Sequence, residues 1–274
     1  MKKQFNFSPA YTLGICAFAV SAALLFVTPG LSVIPLTIFI IICLLAPFFP
    51  RTGFFLPVIS RGIAGRQAIA ITFDDGPDPL TTPLLLQLLA KYNVKATFFV
   101  IGAKAKKYPH LIKEILAAGH LIGNHTFTHD VMIMLKSKKK LAQEIVSTQK
   151  LLRQFGIIPL AFRSPVGIVN PGLGPILKKY KMFCVNYSCR GLDAGNRRIK
   201  KISGKILKKI RKDDILLLHD VRPLHDAQIP EWLKEIERIL IGLQKKKLCV
   251  LPLAEIIGRP VMRTVPRASL KNIR

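Results

Sequence analysis

Two adjacent carboxylates end an apolar run, Ile71-Thr72-Phe73-Asp74-Asp75-Gly76-Pro77-Asp78, and no acidic residue precedes them in the chain. Asp, Gly and Pro also build surface turns for local reasons, but here the pair directly follows a strand-like segment. Consecutive side chains diverge, so Asp75 can face a cation while Asp74 turns toward a substrate. A second group is Asn124-His125-Thr126-Phe127-Thr128-His129-Asp130, with two of the six histidines at i and i+4. They can converge on one metal if the stretch is one helical turn, and Thr126 or Thr128 can fix a loop around them. Alone this spacing is a weak signal; with Asp75 it makes a His, His, Asp facial set that leaves positions open for water and substrate.

Two further groups supply charge and protons. Arg163, in Phe162-Arg163-Ser164-Pro165-Val166-Gly167, ends a short apolar run just before a Pro and Gly bend. It is either a surface salt-bridge partner or a buried guanidinium that orients a carboxylate and keeps it ionised, Asp74 being the obvious one. His219 closes the run Ile215-Leu216-Leu217-Leu218-His219. A satisfied core histidine is the ordinary role; beside a metal it can protonate a leaving amine. Asp193 follows another strand-like stretch and can set the tautomer of that imidazole.

These groups need a scaffold that gathers strand ends. Short apolar runs at 68–73, 96–101, 119–123, 160–163, 184–187, 214–218 and 248–251 alternate with amphipathic helical patterns at 82–92, 109–118, 138–155, 172–179, 200–212 and 230–247. Such alternation predicts an α/β fold of βα units on a parallel sheet. About seven units suggest an irregular, seven-stranded (β/α) barrel, with an open doubly wound sheet as the alternative. In a barrel the chemistry gathers at the C-terminal strand ends, where all four groups fall.

The N-terminal residues form a different kind of segment. Between Lys3 and Arg51 there is no charged side chain, and two apolar stretches, 10–28 and 31–49, flank Pro29-Gly30. Each is long enough to cross about 30 Å of hydrocarbon as a helix. A transmembrane hairpin is therefore expected, in preference to a signal peptide, because no small-x-small cleavage site precedes a polar mature start. The expected organisation is a membrane anchor with interfacial linker over 1–66, a catalytic domain over 67–256 and a basic tail over 257–274. Lys2 and Lys3 before the hairpin and Arg51, Arg61 and Arg66 after it favour a cytoplasmic domain on a two-span membrane protein.

The 42 Lys plus Arg exceed the 15 Asp plus Glu by 27. Without a recognition helix, zinc-finger spacing or interleaved aromatics, that surplus suits an anionic membrane surface or acidic glycan rather than nucleic acid. The length and 50% apolar content exclude a disordered chain or a disulfide-stapled miniprotein, and the five cysteines, without a CxxC and with an odd count outside the apolar stretches, read as buried thiols.

Taken together, Thr72-Phe73-Asp74-Asp75-Gly76-Pro77, His125-Thr126-Phe127-Thr128-His129, Arg163-Ser164-Pro165 and Leu217-Leu218-His219 resemble the motifs of the polysaccharide deacetylase family, the NodB-homology domain of carbohydrate esterase family 4. The resemblance spans about residues 68–253. It implies one divalent metal ion, usually zinc, on Asp75, His125 and His129, with Asp74 as catalytic base. Arg163 would position that base, His219 would be the general acid with Asp193 behind it, and Leu217 would accept the acetyl methyl. Pro165 and Arg190 are expected beside the substrate. The implied reaction removes the N-acetyl group of an amino sugar in a glycan or lipid-linked saccharide. The other function class is a catalytically silent, membrane-tethered binder of glycans or lipid headgroups. The sequence departs from the family at Arg190 and Ala194, which replace an Asp and a Trp, and at Val166, which replaces an aromatic. Arg190 adds a donor suited to phosphate or carboxylate.

Overall fold

The computed structural model describes residues 8–265. Lys2, Lys3 and residues 266–274 of the expected basic tail lie outside the described residues.

Helix α1 (Pro9–Val27) stops where Pro29 approaches, and α2 (Ile34–Leu45) carries Pro35 in its first turn, where a missing N–H costs least. Short 3₁₀ turns carry the second helical path on to Phe48. The two paths, Pro9–Val27 and Pro29–Phe48, have mean hydropathies of 2.1 and 2.6 and the length to cross a membrane. They pack against each other and expose most of their apolar side chains.

The rest of the chain alternates strands and helices. In order these are β1 (Val58–Ile59), β2 (Ala68–Asp74), α3 (Thr81–Lys91), β3 (Thr97–Val100), α4 (Gly102–Lys107), α5 (Pro109–Ala117) and β4 (Leu121–Asn124). There follow α6 (Lys138–Arg153), β5 (Ile157–Pro159), β6 (Ala161–Phe162), α7 (Leu173–Lys179), β7 (Phe183–Val185), β8 (Cys189–Arg190) and α8 (Ile202–Lys209). The last elements are β9 (Ile215–His219), α9 (Ile229–Lys245), β10 (Cys249–Val250), α10 (Leu253–Ile256) and β11 (Met262–Thr264).

The expected α/β architecture with parallel strands is present, but the sheet is curved and open rather than a closed seven-stranded barrel. Nine parallel strands run in the order β1-β7-β6-β4-β3-β2-β9-β8, with β10 also on β2. Among the described residues no ladder joins the ends of this path. The terminal strands β1 and β8 are only two residues long; residues 186–188 run from β7 to β8, and beside them a single isolated bridge, Arg61 with Asp214, stands in place of a ladder. Strand β1, inside the expected interfacial linker, pairs with β7. β5 and β11 form a separate antiparallel pair.

Strand alternation sorts the side chains onto two faces. Ile69, Ile71, Phe73, Phe98, Val100, Leu216 and Leu218 face outward into the main core under α3, α5 and α9. The amphipathic α9 contributes Trp232, Ile236, Ile239, Leu240 and Leu243 at helical spacing to that core. The concave face carries Ala68, Ala70, Phe99, Ala161, Val185 and Ile215. Gly123 on β4 is required there, because a Cβ would stand 2.4 Å from the Phe99 ring. Higher on the same face, toward the C-terminal strand ends, the side chains become polar: Thr72, Asp74, Arg163 and His219.

Candidate metal centre and catalytic cleft

Asp74 ends β2 with its carboxylate on the concave face, and Asp75 leaves the strand at φ 71°, which turns its side chain away from that of Asp74. Gly76 then passes so close to Asp220 that a Cβ would lie 2.3 Å from Asp220 Oδ2. Asp220 is itself buried and accepts hydrogen bonds from Thr81 Oγ1 at 2.8 Å and Thr82 Oγ1 at 2.6 Å. Burial and the charge of Asp78 outweigh those donors and push its pKa up to about 7. The carbonyl of Asp75 accepts from Lys104 Nζ on α4. The turn is thus held from both sides.

His125 and His129 occupy an irregular loop after β4. The stretch is a loop and not the helical turn expected from the spacing: Thr126 and His129 both have positive φ, 65° and 57°, and this brings the two rings to 4.8 Å between centroids. Glu144 on α6, buried and absent from the sequence-level reading, fixes the loop. Its Oε2 accepts from the N–H groups of Phe127 at 3.0 Å and Thr128 at 2.7 Å and from Thr128 Oγ1 at 3.0 Å.

Asp75 Oδ1 lies 3.4 Å from His125 Nε2 and 3.1 Å from His129 Nε2. All three ligand atoms fall within 4.8 Å of one another. Asp75 Oδ1 is buried and makes no regular hydrogen bond, as a carboxylate reserved for a cation would be. His125 Nδ1 is 2.8 Å from the Arg163 carbonyl. Since a carbonyl can only accept, the proton sits on Nδ1 and leaves the Nε2 lone pair for a metal. Burial alone would raise the Asp75 pKa, but the neighbouring His125, His129 and His219 hold it well below the usual carboxylate range. The donor set fits one divalent first-row ion of the zinc type.

Arg163 follows β6 and is completely buried beneath this cluster. Its Nη1 donates to Asp74 Oδ1 at 2.7 Å and to Thr72 Oγ1 at 2.8 Å. Nε and Nη2 donate to the carbonyls of Val185 and Asn186. The guanidinium carbon stands 4.0 Å from the centroid of the Phe99 ring. Such a desolvated cation is tolerable only with an acidic partner and filled donors, which Asp74, Thr72 and the two carbonyls supply. The other oxygen of Asp74, Oδ2, faces His125 Nε2 at 3.8 Å.

His219 ends β9 with Nδ1 2.8 Å from Asp193 Oδ2. Burial works against the imidazolium, but the hydrogen bond and charge of Asp193, aided by Asp75 and Asp74, lift its pKa to about 9. Leu217, two residues earlier on the same strand face, lines the cleft beside it. The cleft, about 870 Å³, is also lined by Asp74, Asp75, His125, His129, Asp193 and Arg190. Pro165 is buried and does not line it; it opens a tight turn that presents its neighbours Val166 and Gly167 instead. Tyr187, with no sequence signal of its own, supplies an aromatic wall where the expected Trp and aromatic are missing.

A family model described as polysaccharide deacetylase matches residues 61–185. A peptidoglycan-N-acetylglucosamine deacetylase of Bacillus cereus is 38% identical over 157 residues, which cover 57% of this chain and 73% of the relative. A chitooligosaccharide deacetylase of Azorhizobium caulinodans is 31% identical over 204 residues, covering 71% and 96%. Among solved structures, a peptidoglycan N-acetylglucosamine deacetylase in complex with 4-naphthalen-1-yl-N-oxidanyl-benzamide superposes with a TM-score of 0.68 at 27% identity, over 75% of this chain and 95% of the other. The chain belongs to the polysaccharide deacetylase family.

Proposed function

We propose that this protein is a metal-dependent hydrolase that removes the N-acetyl group from an amino sugar, with release of acetate and a free amine. One observation carries the reading: three candidate ligands, a carboxylate held by a buried arginine, and a histidine backed by a carboxylate meet at one open cleft.

Asp75, His125 and His129 would hold the divalent cation, zinc in the first instance, which when bound polarises the amide carbonyl and acidifies a nearby water. Asp74 accepts the proton of the attacking water at Oδ2, because Arg163 engages Oδ1. As the water oxygen bonds to the acetyl carbon and the carbon–nitrogen bond breaks, His219 delivers a proton from Nε2 to the departing nitrogen. Asp193 on Nδ1 fixes which nitrogen carries that proton and makes the imidazolium the resting form at neutral pH. Leu217 offers an apolar surface to the acetyl methyl, while Tyr187, Val166 and Arg190 border the sugar. A silent binding protein would be expected to sequester Asp74 or His219, whereas both line the cleft.

The two apolar helices act as a hairpin anchor that holds the catalytic domain at a membrane surface, with the lysine and arginine surplus facing anionic headgroups. Positive charge after the second span favours the cytoplasmic side. In this structure, however, Arg51 and Arg61 also contact the catalytic domain, through the Tyr187 and Ser188 carbonyls and through Asp214. Cys249 is exposed and serves as a reporter. Its labelling by an impermeant thiol reagent only after membranes are opened supports the cytoplasmic side, and labelling in intact cells refutes it. The reaction is tested by mass spectrometry of acetate release from N-acetylated glycans by zinc-loaded and metal-stripped protein. Metal-dependent acetate is expected, and no acetate from any N-acetylated sugar refutes the reading.

A further inference from the structure

A second cavity of about 660 Å³ adjoins the catalytic cleft. Val166, Gly167, Tyr187, Arg190 and Leu192 line both, so the two form one continuous trough. The second cavity is also lined by Pro47, Phe48, Phe49, Pro50, Arg51 and Thr52, at and just after the end of the second apolar helical path. The trough therefore runs from the catalytic groups to the point where the hairpin joins the domain.

Its chemistry changes along that course. Around the catalytic cleft, carboxylates and cations are mixed. Among the described residues, the charged side chains lining the second cavity are Arg51, Arg190 and Lys209, all cationic, with no Asp or Glu. Arg51 donates to the carbonyls of Tyr187 and Ser188, and Arg190 donates to the Tyr187 hydroxyl. Those partners are neutral, and none of the three cations forms an ion pair among the described residues. Three uncompensated cations around one recess attract an anion that can accept from more than one of them. Beyond them, Phe48 and Phe49 are 66% and 61% exposed, an apolar exit beside the membrane helices. Asn186, buried on the same wall, donates from Nδ2 to the Gly167 carbonyl.

We infer that this second cavity is a binding site for the phosphate of a lipid-linked amino sugar. The N-acetyl group lies in the catalytic cleft, the phosphate lies among Arg51, Arg190 and Lys209, and the lipid chain leaves past Phe48 and Phe49 into the bilayer. This deepens the deacetylase reading and rests on it. An uncharged glycan polymer makes no use of three unpaired cations or of an apolar exit, and a soluble sugar phosphate makes use of the cations alone.

The test uses the full-length, zinc-loaded protein in lipid nanodiscs with three probes: a polyprenyl-phosphate-linked N-acetylglucosamine, the soluble N-acetylglucosamine 1-phosphate, and a neutral chito-oligosaccharide. Acetate release gives kcat/KM for each. The polyprenyl-phosphate substrate should exceed the chito-oligosaccharide by about 100-fold, and Lys209→Glu should lower that ratio about tenfold, by removing one charge contact and adding a repulsive one. Phe49→Ser should lower the ratio of the lipid-linked to the soluble phosphate substrate. Equal turnover of the two phosphate substrates overturns the lipid exit. A preference for the neutral oligosaccharide, or a ratio unmoved by Lys209→Glu, overturns the phosphate site while leaving the deacetylase reading intact. Acetate from none of the three overturns both.

Discussion

Asp74 and His219 are direct partners in the parallel ladder between β2 and β9, each the last residue of its strand. Neighbouring strands lie about 4.8 Å apart, so the sheet itself sets the spacing between the proposed base and the proposed acid. Neither residue depends on a mobile loop for its place. Asp75 and the two histidines come instead from turns and loops at the strand ends, pinned by Lys104 and Glu144.

That rigid pairing makes Asp74→Asn and His219→Ala informative. Each should lower kcat by about 10²- to 10⁴-fold with metal still bound, and the double variant should fall little below the worse single one, because the two act in one sequence of proton transfers. Steady-state acetate release alongside metal analysis of each purified variant decides it. Loss of activity that tracks loss of metal would remove both roles.

Asp193→Asn should shift the alkaline side of the pH profile. The folded His219 pKa is lifted to about 9 chiefly by Asp193 acting against burial, so the protonated acid persists at neutral pH and disappears as pH rises through that value. Without the carboxylate the pKa drops, and the activity loss moves to lower pH. The pH dependence of kcat for wild type and variant measures the displacement; an unmoved alkaline limb contradicts the assignment.

The loop contact predicts a metal phenotype for a residue that touches no metal ligand side chain. Glu144→Ala should weaken metal binding by about 10- to 100-fold, and Glu144→Gln, which keeps an acceptor for the Phe127 and Thr128 N–H groups, should recover much of it. Competition with a chromophoric chelator reads both. Equal affinities in all three proteins would reduce Glu144 to a packing residue.

Two buried groups should pull stability in opposite directions between pH 4 and 6.5. His120 is buried and accepts from the Ala96 N–H, and burial, with a smaller contribution from Lys95, pushes its pKa down to about 4. Its stabilisation is present above the unfolded value near 6.5 and is lost as pH falls toward 4. Asp220, raised to about 7, acts in the opposite sense: its stabilisation is present below its unfolded value near 3.8 and is lost as pH rises toward 7. Urea unfolding across this window should therefore show stability that falls with rising pH in His120→Gln and rises with pH in Asp220→Asn. Parallel curves for the two variants would contradict these opposing contributions.

Much of the architecture was legible because the physics is local. The apolar runs that end in Asp74, Arg163 and His219 carry their own strand signal, and α9 shows its buried stripe in its spacing. The two-residue strands β1 and β8 carry none, since two residues establish no period, and the open sheet depends on them. Within the site, the polar motifs were visible but their supports were not. Glu144 sits in an otherwise ordinary amphipathic helix and reaches the histidine loop only through the packing of α6. Tyr187 and Lys209 come together with Arg51 across more than 130 residues of chain, a proximity that no window of sequence contains. His125 and His129 were visible as a pair, yet their loop geometry rests on two positive φ angles that the residue types do not announce.

The central claim is that one divalent ion on Asp75, His125 and His129 makes this cleft hydrolytic, and stoichiometric reconstitution tests it most directly. Metal-stripped protein titrated with zinc should gain N-deacetylase activity in proportion to bound metal, reaching a plateau at about one ion per chain. The His125→Ala, His129→Ala double variant should neither bind tightly nor recover activity while retaining most of its secondary structure by circular dichroism. Full activity in the stripped protein, or undiminished metal content in the folded double variant, would contradict the account.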